Sequence, residues 1–321
     1  METTWRWVLV TAIAPIAWGS TYWVTREFLP PDAPLWGAVL RALPAGLLLL
    51  AVRPRLPRGA WWWRAAILGT LNVGVFFALI YLVAQLLPTS LASTIMATSP
   101  AAMMLLAWLF AGERLRLVPL VGAGLGIVGV ALLLAGEGVA PAPVGIAASV
   151  LAMALSSLGY ILAKRWREGT DVLSVTSWQL LAGGLLLLPA ALVVEGGPPT
   201  LDVHGLLAFA YVSLIATAVA FVAWFAGLAR LPAGTVGLVG LLNPVAGVLL
   251  GVLVAGERLG GWQVAGLAIV LVGIVMGQPA ARRAIAWARE RRRRRSLRPV
   301  ASPRFARGHR TEVPSPLAAD C

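Results

Sequence analysis

The stretch TSPAAMMLLAWLFAGERL at residues 98–115 returns in related form as LNPVAGVLLGVLVAGERL at residues 242–259. The two copies are 144 positions apart, and each has a polar residue before a proline near its start, Ser99-Pro100 in one and Asn243-Pro244 in the other. Both end in Ala-Gly-Glu-Arg-Leu, although only 12% of the chain is charged. A match of this length at a fixed offset predicts an internal duplication.

A second pair of segments indicates where each copy begins. The sequence RALPAGLLLL at residues 41–50 resembles QLLAGGLLLL at residues 179–188, at the slightly shorter offset of 138. We therefore predict a first repeat over residues 1–138, a second repeat over residues 139–280 and a basic, disordered tail over residues 281–321.

The composition is that of an integral membrane protein. Hydrophobic residues make up 59% of the chain, and the mean hydropathy is +0.84. A soluble domain is about a quarter charged and less than half apolar. The single cysteine cannot form an intramolecular disulfide, and the two histidines stand in no cluster of metal ligands. We expect neither a metal nor a cofactor.

Ten segments are long and apolar enough to cross a bilayer, which takes roughly 20 mostly apolar residues. Charged residues, prolines and glycines separate them. They lie at residues 7–28, 34–52, 65–87, 89–110, 116–135, 143–163, 173–194, 205–228, 232–254 and 262–279. The predicted fold class is therefore all-α, with ten transmembrane helices.

The basic residues predict the orientation, because cytoplasmic loops carry an excess of Lys and Arg. With the N-terminus inside, eleven basic residues outside the tail fall on the cytoplasmic side and two, Arg26 and Arg258, fall on the other. Ten spans return the chain to the side where it began. Both termini are thus predicted to be cytoplasmic.

Each predicted repeat contains five spans, and five is an odd number. The second copy must therefore enter the membrane upside down relative to the first, as in the inverted repeats of many secondary transporters. One Ala-Gly-Glu-Arg-Leu segment, at residues 111–115, then faces the cytoplasm, and the other, at residues 255–259, faces outside.

These features resemble the EamA-type branch of the drug/metabolite transporter superfamily. APIAWGSTYWVTR at residues 14–26, the apolar run that begins at Arg41 and the Pro…Gly-Glu-Arg-Leu pattern of the fourth and ninth spans carry the resemblance. It covers residues 7–279 and implies a transporter, often an exporter, whose solute differs between members. The sixth span departs from the pattern, because MALSSLGYILAKR at residues 153–165 lacks the Trp-Gly of the first span.

The leading functional hypothesis is a secondary transporter that exports a small metabolite, amino acid or drug-like solute by alternating access. The middle of the spans contains no histidine, cysteine or acid with which a membrane-embedded enzyme would act. No GxxxxGK[ST] loop is present for an ATP-driven pump. A channel, or a membrane sensor or scaffold that transports nothing, is the alternative. Without a mid-span carboxylate, the coupling to protons or to exchange stays open.

The two prolines predict where a solute would bind. Each removes a helical hydrogen bond to the carbonyl four residues earlier, and paired interruptions in two halves point to a transport site. Prolines that merely kink a helix would look the same. We predict a cavity lined by the first four spans of each repeat, while the fifth and tenth lie at the periphery or at a homodimer contact. The candidate cavity residues are Trp18, Ser20, Tyr22, Arg41, Asn72, Ser99, Pro100, Ser156, Tyr160, Gln179, Asn243 and Pro244. For Asn72 and Gln179, a hydrogen bond between helices is the alternative, and for the small and hydroxyl residues around Ser20 and Tyr160 it is helix packing.

Arg41 carries the sharpest chemical prediction, since an ionisable group inside a span is a functional hypothesis by default. It lies about six residues, roughly 9 Å, from the outer end of the second span. A side chain of this length could also extend to the membrane interface. If it faces the cavity, Arg41 favours a solute with a carboxylate or another anionic group.

The pairs Glu113-Arg114 and Glu257-Arg258 lie too far from the midplane to carry protons. Glu113 is about 13 residues beyond Pro100, roughly 20 Å along a helix, whereas half the hydrocarbon core is about 15 Å. We interpret both glutamates as structural, each closing one helix and standing at the start of the next, where negative charge is favoured. A gating ion pair is the alternative.

The tail carries 12 arginines against 3 acids over residues 281–321. An arginine cluster just inside a last span favours binding to anionic lipid, and we expect no nucleic-acid partner, since the membrane surface is the nearest polyanion. The composition, rich in Ala, Gly and Arg and poor in Lys, indicates a GC-rich bacterial gene. The predicted location is therefore the inner (plasma) membrane.

Overall fold

A computed structural model describes residues 2–28, 30, 32–87, 95–133, 142–167, 169–255 and 260–278. Within those residues the chain forms ten helical segments and no strand. Glu257, Arg258 and the basic tail lie outside the described residues.

Six of the segments are continuous and apolar for most of their length. They begin and end close to the predicted spans, with the largest difference at α1, which starts five residues before the predicted residue 7. These helices are α1 (Glu2–Phe28), α2 (Pro34–Val52), α5 (Leu117–Leu133), α6 (Pro143–Trp166), α7 (Val172–Val194) and α10 (Gly261–Gly277).

Two helices contain a turn of π-helix, in which the backbone is locally wider. In α3, residues Trp61–Gly69 and Val75–Leu86 flank a π-helical turn at Thr70–Gly74. In α8, the π-helical turn at Leu214–Val219 separates Val203–Ser213 from Ala220–Arg230. We call these turns the α3 bulge and the α8 bulge.

The two remaining helices are broken at the predicted prolines. Helix α4 (Ser99–Ala111) follows a turn at residues 97–98, and α9 consists of Ala233–Gly240 and Leu242–Ala255 with a turn at Leu241. Pro100 and Pro244 therefore stand in the first turn of a new helical segment rather than inside a kinked helix. Proline is well tolerated there, because the N–H it lacks would have no helical partner.

The length and surface of the helices agree with a membrane location. Six helices, in α2, α3, α6, α7, α8 and α9, are long and apolar enough to cross a bilayer, and α4, α5 and α10 contribute shorter apolar helices. Large apolar side chains also face outward: Leu117 is 81% exposed, Val193 84% and Leu253 79%. An apolar surface of this kind is suited to lipid rather than to water.

The helices of one half pack mainly on helices of the other half. Helix α1 lies against α8 and α9, and α6 lies against α3 and α4 in the corresponding way. Helix α2 packs on α7, α4 on α9, and α5 on α10. If α1 to α5 exchange places, in order, with α6 to α10, the same pairs of neighbours result. The contacts are therefore symmetric between the two halves.

The fifth and tenth helices, predicted at the periphery or at a dimer contact, pack tightly on each other. A Cβ added at Gly122 would lie 2.7 Å from the Gly273 oxygen, and one added at Gly129 would lie 2.7 Å from the Val270 nitrogen. Glycines thus let the two backbones approach closely, as small residues do between transmembrane helices. The homodimer contact stays a prediction.

Acidic residues cap several helix ends. Glu195, at the end of α7, accepts hydrogen bonds from the backbone nitrogens of Leu35 (2.7 Å) and Trp36 (2.9 Å) at the start of α2. Asp171 caps α7 by accepting from the Ser174 nitrogen at 3.0 Å. Partial burial raises the pKa of Asp171, but the Ser174 hydrogen bonds and the nearby guanidinium charges lower it more, so this pKa lies below its ordinary value.

Candidate functional site at the two bulges

Three side-chain hydrogen bonds converge on the α8 bulge. Arg41 of α2 donates through Nε to the Thr217 hydroxyl at 2.7 Å and through Nη2 to the Ala216 carbonyl at 3.2 Å. Trp18 of α1 donates through Nε1 to the same carbonyl at 3.0 Å. The bulge therefore holds a half-buried guanidinium and an indole N–H side by side inside the bundle.

Hydroxyl and aromatic groups surround this convergence. The Ser20 and Tyr211 hydroxyls are 2.5 Å apart. The Arg41 guanidinium lies 4.8 Å from the centre of the Phe77 ring, and Trp18 packs against Phe221 at a centroid distance of 5.4 Å. A cation, two hydroxyls and aromatic walls together suit a small solute with one anionic group and an apolar body.

The side-chain contact at the α3 bulge is completely buried by comparison. Asn72, within the bulge, donates through Nδ2 to Gln179 Oε1 of α7 at 2.8 Å, and both side chains are completely buried. Neither Asn72 Oδ1 nor Gln179 Nε2 has a hydrogen-bond partner among the described residues. Gly159 of α6 packs directly on the Asn72 side chain, where a Cβ would collide with it.

The two bulges occupy equivalent places in the duplicated sequence. Residues 70–74 shifted by 144 fall on residues 214–218, inside the α8 bulge. Arg41 and Gln179 also correspond, at the offset of 138. Each of these two residues comes from the second helix of its half and contacts the bulge in the third helix of the other half. The sequence offered Asn72 and Gln179 either as cavity residues or as contacts between helices, and the structure pairs them with each other between α3 and α7, away from Trp18, Ser20 and Arg41.

Of the remaining candidates, Asn243 stands at the α9 break. A Cβ added at Gly19 of α1 would lie 2.6 Å from the Asn243 backbone oxygen, so α1 approaches this break closely. Pro244 is half-buried there, and in the corresponding break of α4, Ser99 is half-buried and Pro100 is buried.

Three further candidates lie in helices α1 and α6. Tyr160 is buried against Trp224, with ring centroids 5.4 Å apart. Ser156 is buried and donates to the Met153 carbonyl of its own helix at 3.1 Å. Its hydroxyl thus satisfies a local bond, as serines in transmembrane helices often do. The Tyr22 side chain is not among those that the structure describes.

Glu113 caps a helix, but not the one that the sequence suggested. Its carboxylate accepts from the Ala233 nitrogen at 3.0 Å, at the start of α9, instead of capping the adjacent α5. Lys164 of α6 donates to the same carboxylate at 2.5 Å and to the Leu231 carbonyl at 2.7 Å. Glu113 is thus both a helix cap and one half of an ion pair, whereas Arg114 beside it is exposed.

Sequence reasoning missed Thr217, Tyr211 and Lys164 as site residues. The offset of 144 places Asn72 on Ala216, one residue before Thr217, so it indicates the right turn of α8 but not the threonine itself. Lys164 entered the sequence analysis only as one of the basic residues that predict the cytoplasmic side. For Tyr211 the sequence carries no such signal, because its partner Ser20 lies 191 residues away.

Comparison with known proteins gives an independent assignment. The profile of the EamA-like transporter family matches residues 5–135 and, a second time, residues 143–276. Protein PecM of Dickeya dadantii is 34% identical over 267 residues, which cover 83% of this chain and 90% of PecM.

Two further relatives and one solved structure extend the comparison. The "Probable amino-acid metabolite efflux pump" of Salmonella typhimurium is 28% identical and matches over 81% of this chain and 90% of its own length. The Escherichia coli inner membrane transporter YedA is 26% identical over 81% of this chain and 87% of its own. A protein crystal structure with 20% identity has the same fold, with a TM-score of 0.74 over 87% of this chain and 98% of that one. The last two relatives are named as a probable efflux pump and a transporter, not as enzymes. Because the family profile covers most of the sequence, the chain itself belongs to the EamA-like transporter family.

Proposed function

We propose that this protein is a secondary transporter that exports a small solute carrying an anionic group, by alternating access across a bacterial inner membrane. The observation that carries the proposal is the pair of equivalent bulges, one contacted by Arg41 and the other by Gln179. Interrupted helices at matching positions of two halves mark the binding region of many transporters, and π-helical turns are frequent at functional sites.

The proposed architecture is two inverted repeats of five helices with both termini in the cytoplasm. The exchange symmetry of the helix contacts supports it, as does the family profile that matches each half separately. With this orientation, the Arg41 site lies in the outer half of the membrane and the Asn72–Gln179 site lies in the inner half. Rocking of one half against the other would then expose the Arg41 region to each side in turn.

The anionic group follows from the positive charge of Arg41 and from two of its contacts. Its contacts with Thr217 and Ala216 are hydrogen bonds to neutral oxygens. A hydrogen bond in which both groups are charged is about twice as strong as a neutral one, so a carboxylate that enters the bundle would compete well for the guanidinium. An amino acid or a small organic acid with an apolar side chain would place that side chain against Phe77, Trp18 and Phe221.

A two-step experiment tests this function. A thermal-shift screen of metabolites on the purified protein identifies a solute, and counterflow of that labelled solute is then measured in proteoliposomes. A carrier gives saturable counterflow, and we expect Arg41→Ala to abolish it and Arg41→Lys to retain part of it. Linear, non-saturating flux would point to a channel, and wild-type counterflow by a well-expressed Arg41→Ala variant would remove Arg41 from the site.

A further inference from the structure

A strongly basic cavity lies at the ends of several helices, away from both bulges. It has a volume of about 420 Å³ and lies between the end of α4, the start of α5, the end of α6 and the connection from α8 to α9. Four cationic side chains and one carboxylate line it: Arg114, Arg116, Lys164, Arg230 and Glu113. Its volume is within the range of small-molecule sites, about 300–1,000 Å³.

Among the described residues, the positive charge of this cavity is only partly balanced by acids. Glu113 and Lys164 pair with each other and with the backbone at the start of α9. Arg230 lies over the Trp7 ring, with 4.8 Å from the guanidinium carbon to the ring centre. In the described part of the chain, the guanidinium groups of Arg114 and Arg116 make no hydrogen bond or ion pair. Three arginines therefore face one cavity without an acidic partner among the residues that the structure describes.

The remaining walls of the cavity are mostly apolar. Met104, Pro119 and Leu231 contribute to them, and the start of α9 lies beside them. A ligand bound here would meet charge on one side and apolar surface on the other. That combination suits a phosphate ester, because arginine binds phosphate through paired N–H groups and the carbon part of the ester can lie on the apolar wall.

We infer that this cavity is a binding site for a phosphate-bearing molecule, whose phosphate is held by Arg114, Arg116 and Arg230. Two sources share this chemistry: the headgroup of an anionic phospholipid and a soluble phosphate ester. Basic pockets between transmembrane helices at the membrane surface bind anionic headgroups. The lining residues of this cavity are not those of the Arg41 site, and the inference does not depend on the transport proposal.

The experiment uses the full-length protein after delipidation in neutral detergent. Native mass spectrometry follows the binding of phosphatidylglycerol, with phosphatidylcholine as the neutral reference, and a thermal-shift titration follows glycerol 3-phosphate. The test variant is the triple replacement Arg114→Gln/Arg116→Gln/Arg230→Gln. The matched control is Arg58→Gln, because Arg58 is exposed, lies in a loop on the same predicted side and does not line the cavity.

We expect the wild type and Arg58→Gln each to bind one more molecule of phosphatidylglycerol than the triple variant does. The tail cannot cause this difference, because all three proteins contain the same tail. Displacement of that lipid by glycerol 3-phosphate would identify a soluble ester as a ligand too, and its retention would identify the lipid headgroup alone. Should the triple variant not fold, Arg114→Gln and Arg116→Gln singly are each expected to weaken binding several-fold. Equal binding of both probes by wild type and variants, or no preference of the wild type for either over the neutral lipid, would overturn the proposal.

Discussion

The bulges of α3 and α8 are equivalent in the repeat but differ in what contacts them. At the α8 bulge, position 41 is an arginine, half-buried, and its neighbours are hydroxyls and aromatic rings. At the α3 bulge, the corresponding position 179 is a glutamine, completely buried against Asn72. A π-helical turn at equivalent positions thus contacts a charged side chain in one half and a completely buried amide pair in the other.

This difference indicates how a duplicated bundle can hold its shape and still bind a solute. An amide pair sealed between α3 and α7 gives a specific, uncharged contact that fixes the packing of those helices. Arg41 of α2, which contacts the α8 bulge, donates two of its hydrogen bonds to neutral oxygens that an anion could replace. We therefore interpret the α3 bulge as the structural member of the pair and the α8 bulge as the binding member.

The largest expected effect comes from exchanging the two residues at the equivalent positions. Gln179→Arg places an unpaired charge in a completely buried site, which costs several kcal/mol, so we expect loss of folded protein in fluorescence-detected gel filtration. Arg41→Gln is expected to fold like the wild type, because its site is only half-buried. A Gln179→Arg variant that is as stable as the wild type would contradict the complete burial of Gln179 at the α3 bulge.

The next effect tests the amide pair itself. Asn72→Leu leaves the buried Gln179 amide without a partner, which costs about 1–3 kcal/mol, and we expect a lower unfolding temperature. The double variant Asn72→Leu/Gln179→Leu removes both polar groups and should recover most of the loss. The matched control is Thr217→Val at the α8 bulge, which is expected to lower stability less. Strictly additive effects of the two leucine substitutions would contradict a coupled pair.

The smallest effect concerns a place where the two halves are expected to be alike. Glu113→Ala removes the cap of α9 and the partner of Lys164, and losing a helix cap costs about 1 kcal/mol. Glu257 matches Glu113 at the offset of 144, so Glu257→Ala should lower the unfolding temperature by a similar amount. Glu113→Gln keeps an acceptor for the Ala233 nitrogen and should cost less. If the two alanine variants lower the unfolding temperature by different amounts, the two halves differ in their helix caps as well, which would contradict this prediction.

The helices and their breaks could be predicted from sequence because they depend on local patterns. Apolar runs of about 20 residues define spans, and a proline with no N–H defines where a helix can restart. The turns before Pro100 and Pro244 lie where those residues require them.

The bulges and their contacts could not be predicted in the same way. A π-helical turn has no strong local signature, and the partners of Arg41 at positions 216 and 217 come from a different helix of the other half. Similarly, the charge of Glu113 indicated a helix cap, but the packing of α4 on α9 decides which helix it caps. Local sequence therefore gives the type of contact, whereas the tertiary arrangement chooses the partner.

The most direct test of the binding role of the α8 bulge compares an anionic solute with its neutral amide analogue. In proteoliposomes, the ratio of kcat/KM for the two solutes is measured for the wild type, for Arg41→Gln and for Asn72→Leu/Gln179→Leu as the control at the other bulge. We expect the wild type and the control to prefer the anion by about 10- to 100-fold, the value of a charged hydrogen bond, and Arg41→Gln to lose that preference. An Arg41→Gln transporter that still prefers the anion by the wild-type ratio would contradict the account.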